Sequence, residues 1–226
     1  MSSMPVNYGI DADRHLGRDG IVDAVRRRVA GRYAVDEFGG DPHLMDLLSP
    51  LVGWVRVRVE HGERIPQVGG ALLVSNRGLG VLEPLALVRA VRHASGRRVR
   101  VIGAPELPLI GPTLRTLGAI GYRPDDVAAM LRAGHLAAAP LGPTWVRAGA
   151  GEPPRALLAA TLGFPVVPVA VMPGGPASLP LLPWRVRFGE ALRPPANTGR
   201  GDQLAAAELA EQSRAVVQSM LEAPRS

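Results

Sequence analysis

The chain has no cysteine among its 226 residues and only five histidines, which narrows its chemistry at once. Without thiols there is no disulfide scaffold, thiolate metal site or cysteine nucleophile. His43, His61, His93 and His135 have no paired carboxylate at a recognisable spacing, and no two histidines lie three or four residues apart as a helical zinc site requires. A GxSxG elbow, an HExxH helix, a phosphate loop with its lysine and a dinucleotide fingerprint are all missing. What remains is arginine. All 26 basic residues are arginine and the formal charge is +6, so the high isoelectric point partly reflects the guanidinium's own high pKa. Between Arg77 and Arg147, ten arginines meet four carboxylates (Glu83, Glu106, Asp125, Asp126), and the whole excess of positive charge lies there. A cationic middle suits a phosphate-bearing ligand, a nucleic acid or an anionic membrane surface; scattered solvated arginines are the equal alternative. Nucleic acid is disfavoured as a partner, because only Tyr122 and Trp145 are available in that stretch as stacking platforms.

The elements that must position these groups follow from hydrophobic spacing. Residues 20–35 place Ile21, Val25 and Val29 on one helical face with arginines opposite, and residues 43–54 resume helical spacing after FGGDP. Trp54 to Glu60 alternates with period two, as a half-exposed strand does. The apolar runs 71–75, 99–102, 136–139 and 165–172 are expected as interior strands. Helices are expected between them at 84–93, 108–117, 125–133 and 154–162, with Asp125 capping the third. Trp184 to Phe188 is expected at the sheet edge, and a last amphipathic helix runs from Gln203 to Ala223. This alternation predicts an α/β sandwich with a central, mostly parallel sheet flanked by helices. The expected division is an N-terminal helical segment (1–53), an α/β core (54–195) and a C-terminal linker and helix (196–226). The first twenty residues lack an apolar core behind basic ones, so a cytoplasmic protein is expected. The uncharged run from Ala156 to Trp184 is interrupted by six prolines, among them Pro165, Pro168 and Pro173. It is therefore expected as a short helix, a strand and a loop rather than a membrane span.

The order of motifs resembles the glycerophosphate and lysophospholipid acyltransferase family, the group that includes 1-acylglycerol-3-phosphate acyltransferases. The likeness covers roughly residues 36–193. DEFGGDP and PQVGGALLVSN are similar to the approach to the family's HxxxxD motif, and GAPELPLIGPTLRTLGAIGYR is similar to its second block. LRAGHLAAAPLG resembles the strand leading into FPEGT, FPVVPVAVMPG the fourth block, and RVRFGEAL the closing strand. The resemblance implies an acyltransferase-like single-domain α/β fold, with acyl-CoA or acyl carrier protein as co-substrate and no cofactor. It also implies a lysophospholipid-like acceptor, a place in phospholipid biosynthesis and lipid metabolism, and peripheral contact with the inner face of the membrane.

Both motifs that carry the family's chemistry are altered. In the family, the histidine of HxxxxD takes the proton from the acceptor hydroxyl and the aspartate orients it. Here those positions are Arg77 and Leu82, and a guanidinium stays protonated, so it cannot act as that base. Glu83, one place beyond, is either a displaced counterpart or a partner for Arg77 and the adjoining helix terminus. Where the family has FPEGT, this chain has Ala139-Pro140-Leu141-Gly142-Pro143-Thr144. The resemblance implies Arg77 and Glu83 as the degenerate catalytic positions. It implies Asn76, Arg123, Gly142, Thr144 and Arg147 as substrate-binding ones, Gly142 through close backbone approach and the arginines through a fork to phosphate. For Arg123 and Arg147 plain surface exposure is the equal alternative. No metal ligand set is expected. Three outcomes follow: a catalytically impaired lipid-binding pseudoenzyme, able to partner an active relative; an active O-acyltransferase using Glu83 as base on a different acceptor; or a non-catalytic interaction module.

Overall fold

A computed structural model describes residues 55–76, 82–102, 123–140, 153–174, 182–194, 199 and 201–223. Six strands and four α-helices fall in these segments: β1 (Val57–Glu60), β2 (Ala71–Ser75), α1 (Leu82–Ser95), β3 (Val99–Val101), α2 (Pro124–Arg132), β4 (Leu136–Pro140), α3 (Pro153–Thr161), β5 (Val166–Met172), β6 (Trp184–Phe188) and α4 (Gln203–Glu222). Every run expected as a strand is one. The expected helices at 20–35, 43–54 and 108–117 lie outside the described residues.

The strands form one sheet in the order β1-β6-β5-β2-β4-β3. β5, β2, β4 and β3 run parallel; β6 is antiparallel to β5, and β1 pairs parallel with β6. The mixed α/β architecture with a mostly parallel sheet is thus as expected. The place of β6 is not: it lies between β5 and β1, and β1 forms the edge. Its alternation of buried Trp184, Val186 and Phe188 with half-buried Arg185 and Arg187 reflects one apolar and one polar sheet face rather than a free edge.

Alternation along the strands divides the core into two layers. On one face Ala71, Leu73, Val99, Leu136, Ala138, Val167, Val169 and Val186 pack with Ala86, Leu87, Ala90 and Val91 of α1. On the other, Leu72, Val74, Ala137, Ala139 and Val166 pack with Val127, Met130 and Leu131 of α2, Leu157 and Leu158 of α3, and Ala206, Leu209 and Ala210 of α4. β2 is buried at all five positions and β5 at its first six, as strands covered on both faces must be.

Helix starts follow local chemistry. Asp202 caps α4, its carboxylate accepting from the backbone N–H groups of Leu204 (3.0 Å) and Ala205 (3.1 Å). In α2 the cap is Arg123 instead of the expected Asp125, because Pro124 takes the first helical position and moves both Asp125 and Asp126 into the first turn. There they complement the positive end of the helix dipole. Among the described residues, no helix is long and apolar enough to cross a membrane. The uncharged stretch from Ala156 holds the end of α3 and then β5, as expected.

Candidate functional site

Adjacent parallel strands β2 and β4 end together, with Ser75 opposite Pro140. Asn76 leaves β2 at this carboxyl end, and Glu83 lies in the first turn of α1, the next described element. Arg123 caps α2. Because α2 runs into β4 from the opposite direction, its N-terminus faces the same end of the sheet. Three residues implied by the family resemblance (Asn76, Glu83 and Arg123) are therefore brought to the carboxyl end, where open α/β sheets bind their ligands. Arg77, Leu141, Gly142, Thr144 and Arg147 lie outside the described residues.

The best-defined group here is Asn76. Its backbone N–H donates to the carbonyl of Val169 (3.3 Å), continuing the β2–β5 ladder by one step. At the next pairing position of β5 the Asn76 side chain makes the contacts: Nδ2 donates to the Val171 carbonyl (2.9 Å), and Oδ1 accepts from the Val171 N–H (2.6 Å). Both polar groups of Val171 on that side would otherwise be orphaned in a buried strand. Asparagine is suited to this because its side chain carries a donor and an acceptor with peptide-like geometry. Asn76 thus fixes the last part of β5 against β2. Glu83 is half-buried and Arg123 exposed.

His135 is exposed and stands just before β4, whose Leu136 is opposite Ala71, the first residue of β2. It lies at the far end of the sheet from Asn76, as the sequence implies. His61 is half exposed, with Nδ1 3.5 Å from a Glu63 carboxylate oxygen, in a left-handed backbone conformation (φ 58°). Among the described residues no cluster of three metal-ligating side chains exists.

Two arginine arrangements escape linear reading. Arg97 donates to the carbonyls of Pro66, Gly69 (2.7 Å) and Gly134, joining the turns that lead into β2 and β4; burial pulls its pKa below the ordinary arginine value. On β6, Arg185 Nε lies 3.1 Å from one oxygen of Glu60 and Arg187 Nε bonds the other. The period-two arginines of WVRVRVE and WRVRF are visible in sequence, but which of them face one another depends on the β1–β6 register. Arg100, 8% exposed in β3, also has its pKa lowered by burial.

No protein-family model matches the chain. Uncharacterized protein ML2427 of Mycobacterium leprae is 32% identical to it, over 87% of this chain and 69% of that protein. Uncharacterized protein Rv0502 of Mycobacterium tuberculosis is 31% identical, over 87% and 71%. Among solved structures, the 1-acyl-sn-glycerophosphate acyltransferase PlsC from Thermotoga maritima superposes with a TM-score of 0.55 at 16% identity, over 80% of this chain and 82% of PlsC. That likeness is one of fold. The chain therefore belongs to the family of the mycobacterial proteins ML2427 and Rv0502, built on the α/β fold seen in PlsC.

Proposed function

We propose that the protein binds an acyl-CoA or lysophospholipid at the carboxyl end of its sheet and is impaired in acyl transfer because Arg77 and Leu141 replace a histidine and a glutamate. The observation that carries this reading is the residue following Asn76. Where the resembling enzymes keep a proton acceptor at the exit of this strand, the chain has a group that cannot take a proton. An acceptor hydroxyl attacking a thioester must lose its proton as the carbon–oxygen bond forms, and losing a positioned general base removes about 100-fold to 10,000-fold in rate. Binding is less affected. Gly142 allows a backbone to approach a phosphate, Thr144 offers a hydroxyl, and Arg123 and Arg147 offer forked donors. The PlsC fold supports a lipid-type ligand; the donor proposed for it is acyl-CoA or acyl carrier protein. Such a protein works in the cytoplasm or at the inner face of the membrane, as a lipid-binding partner of an active relative.

A second reading is favoured by the position of Glu83. It is half-buried in the first turn of α1, at the same end of the sheet as Asn76. As a base there it would accept the hydroxyl proton, while Arg77 stabilised the negative charge on the tetrahedral intermediate. A donor and acceptor panel run on the wild type, Arg77→His and Glu83→Gln separates the two readings. The first expects ligand-induced thermal shifts with little turnover in the wild type. The second expects turnover that Glu83→Gln abolishes. A protein with neither thermal shift nor turnover would be an interaction module alone.

A further inference from the structure

At the β1 edge, Arg58 sits directly opposite Arg185, with Glu60 opposite Arg187. Neighbouring strands are about 4.8 Å apart, and like charges placed opposite each other across strands repel. One carboxylate, Glu60, serves both Arg185 and Arg187, whose side chains are 15% and 13% exposed. Arg58 is exposed, as is Arg56 two residues earlier, whose carbonyl accepts from the Trp184 N–H (2.7 Å). Neither Arg56 nor Arg58 has an ion pair among the described residues. Elsewhere, Glu190 lies 3.8 Å from Arg64, and Glu222 accepts from Gln218. Two guanidinium groups thus share one carboxylate, and the exposed Arg56 and Arg58 beside them have no ion-pair partner among the described residues. An apolar component adjoins them: Leu182, 39% exposed, begins the segment entering β6, and half-buried Met172 is opposite Arg185. The level of this patch in the sheet is that of Met172, one residue past the Val171 held by Asn76. It therefore lies at the same end as the candidate site.

We propose that this edge docks the protein on an anionic lipid surface, with Arg56 and Arg58 taking up phosphate headgroups and Leu182 entering the interface. The charge complementarity is direct, since headgroup phosphates supply the negative charge that the exposed Arg56 and Arg58 lack. Docking here turns the carboxyl end of the sheet toward the membrane, where a lysophospholipid resides. That purpose rests on the proposed lipid function, whereas docking itself is measured without turnover.

The test is co-sedimentation of the full chain with phosphatidylcholine vesicles and with vesicles that also contain phosphatidylglycerol. The wild type is compared with Arg56→Gln/Arg58→Gln and with Arg92→Gln/Arg132→Gln, the latter removing two exposed arginines at the opposite end of the sheet. A surface arginine near an anionic bilayer contributes about 5-fold in affinity, so the first pair is expected to weaken binding to anionic vesicles about 30-fold. The control pair should change it little, and added salt should weaken the wild type. Unchanged melting temperatures confirm folding, since all four side chains are exposed. No wild-type preference for anionic vesicles, or an equal loss in both double variants, overturns the proposal. Vesicle binding with no ligand-induced thermal shift would leave docking standing and remove the proposed function.

Discussion

The two ends of the sheet are built differently. At the amino end, side chains join separate turns into one base. Arg97 links Pro66, Gly69 and Gly134, and Arg64 donates to the Phe188 carbonyl (2.9 Å) beside its contact with Glu190. Gly70 also lets the last turn of α2 lie directly against the start of β2. At the carboxyl end, Asn76 of the β2 exit holds Val171 of β5, and Glu60 of β1 holds Arg185 of β6. The contrast is one of construction: the amino end fixes the relative positions of β2 and β4 through Arg97 and Gly70, and the carboxyl end carries the strand exits of the proposed site.

Disturbing the amino end should have the largest effect on stability. In Gly70→Ala the new Cβ would overlap the Leu131 backbone carbonyl, and backbone on both sides cannot give way easily. A loss of about 3 kcal/mol or more is expected from overpacking of this kind, seen as a lowered urea midpoint at an unchanged slope. Arg97→Met keeps the aliphatic stem but removes three charge-assisted bonds. Some of the freed carbonyls can regain water, so about 2–3 kcal/mol is expected by the same measurement. If either variant proved neutral, the amino end would not be the scaffold.

Asn76→Ala should cost less, about 2 kcal/mol, because it strands one N–H and one C=O of Val171. Its signature is local. Amide exchange at Val171 should accelerate well beyond the global change, and ligand-induced thermal shifts should fall with it. The Arg97 variant should instead lower stability while keeping those shifts. Equal behaviour of the two variants would erase the distinction between the ends.

How much of this was legible in the sequence differs with the kind of interaction. The strands were, because β2 and β5 are apolar throughout and β6 alternates. The convergence of Asn76, Glu83 and Arg123 was also implicit, since strand–helix alternation places strand exits and helix starts at one end. Strand order was not. An alternating Trp184–Phe188 fits an edge as well as an interior strand with one polar face, and only pairing with β1 decides. The Arg58–Arg185 juxtaposition was hidden for the same reason, as was the clamp formed by Asn76, which bonds a residue 95 positions away. The Asp125 cap was misplaced because proline's preference for the first helical position outweighed the general preference for aspartate at the cap.

The most direct test of the central claim is acyl transfer by the purified wild type from acyl-CoA to a lysophospholipid, measured beside a ligand-induced thermal shift. The account predicts a clear shift with turnover at least about 100-fold below that of an enzyme retaining its base. Turnover at an ordinary enzymatic rate by the protein with Arg77 in place would contradict it.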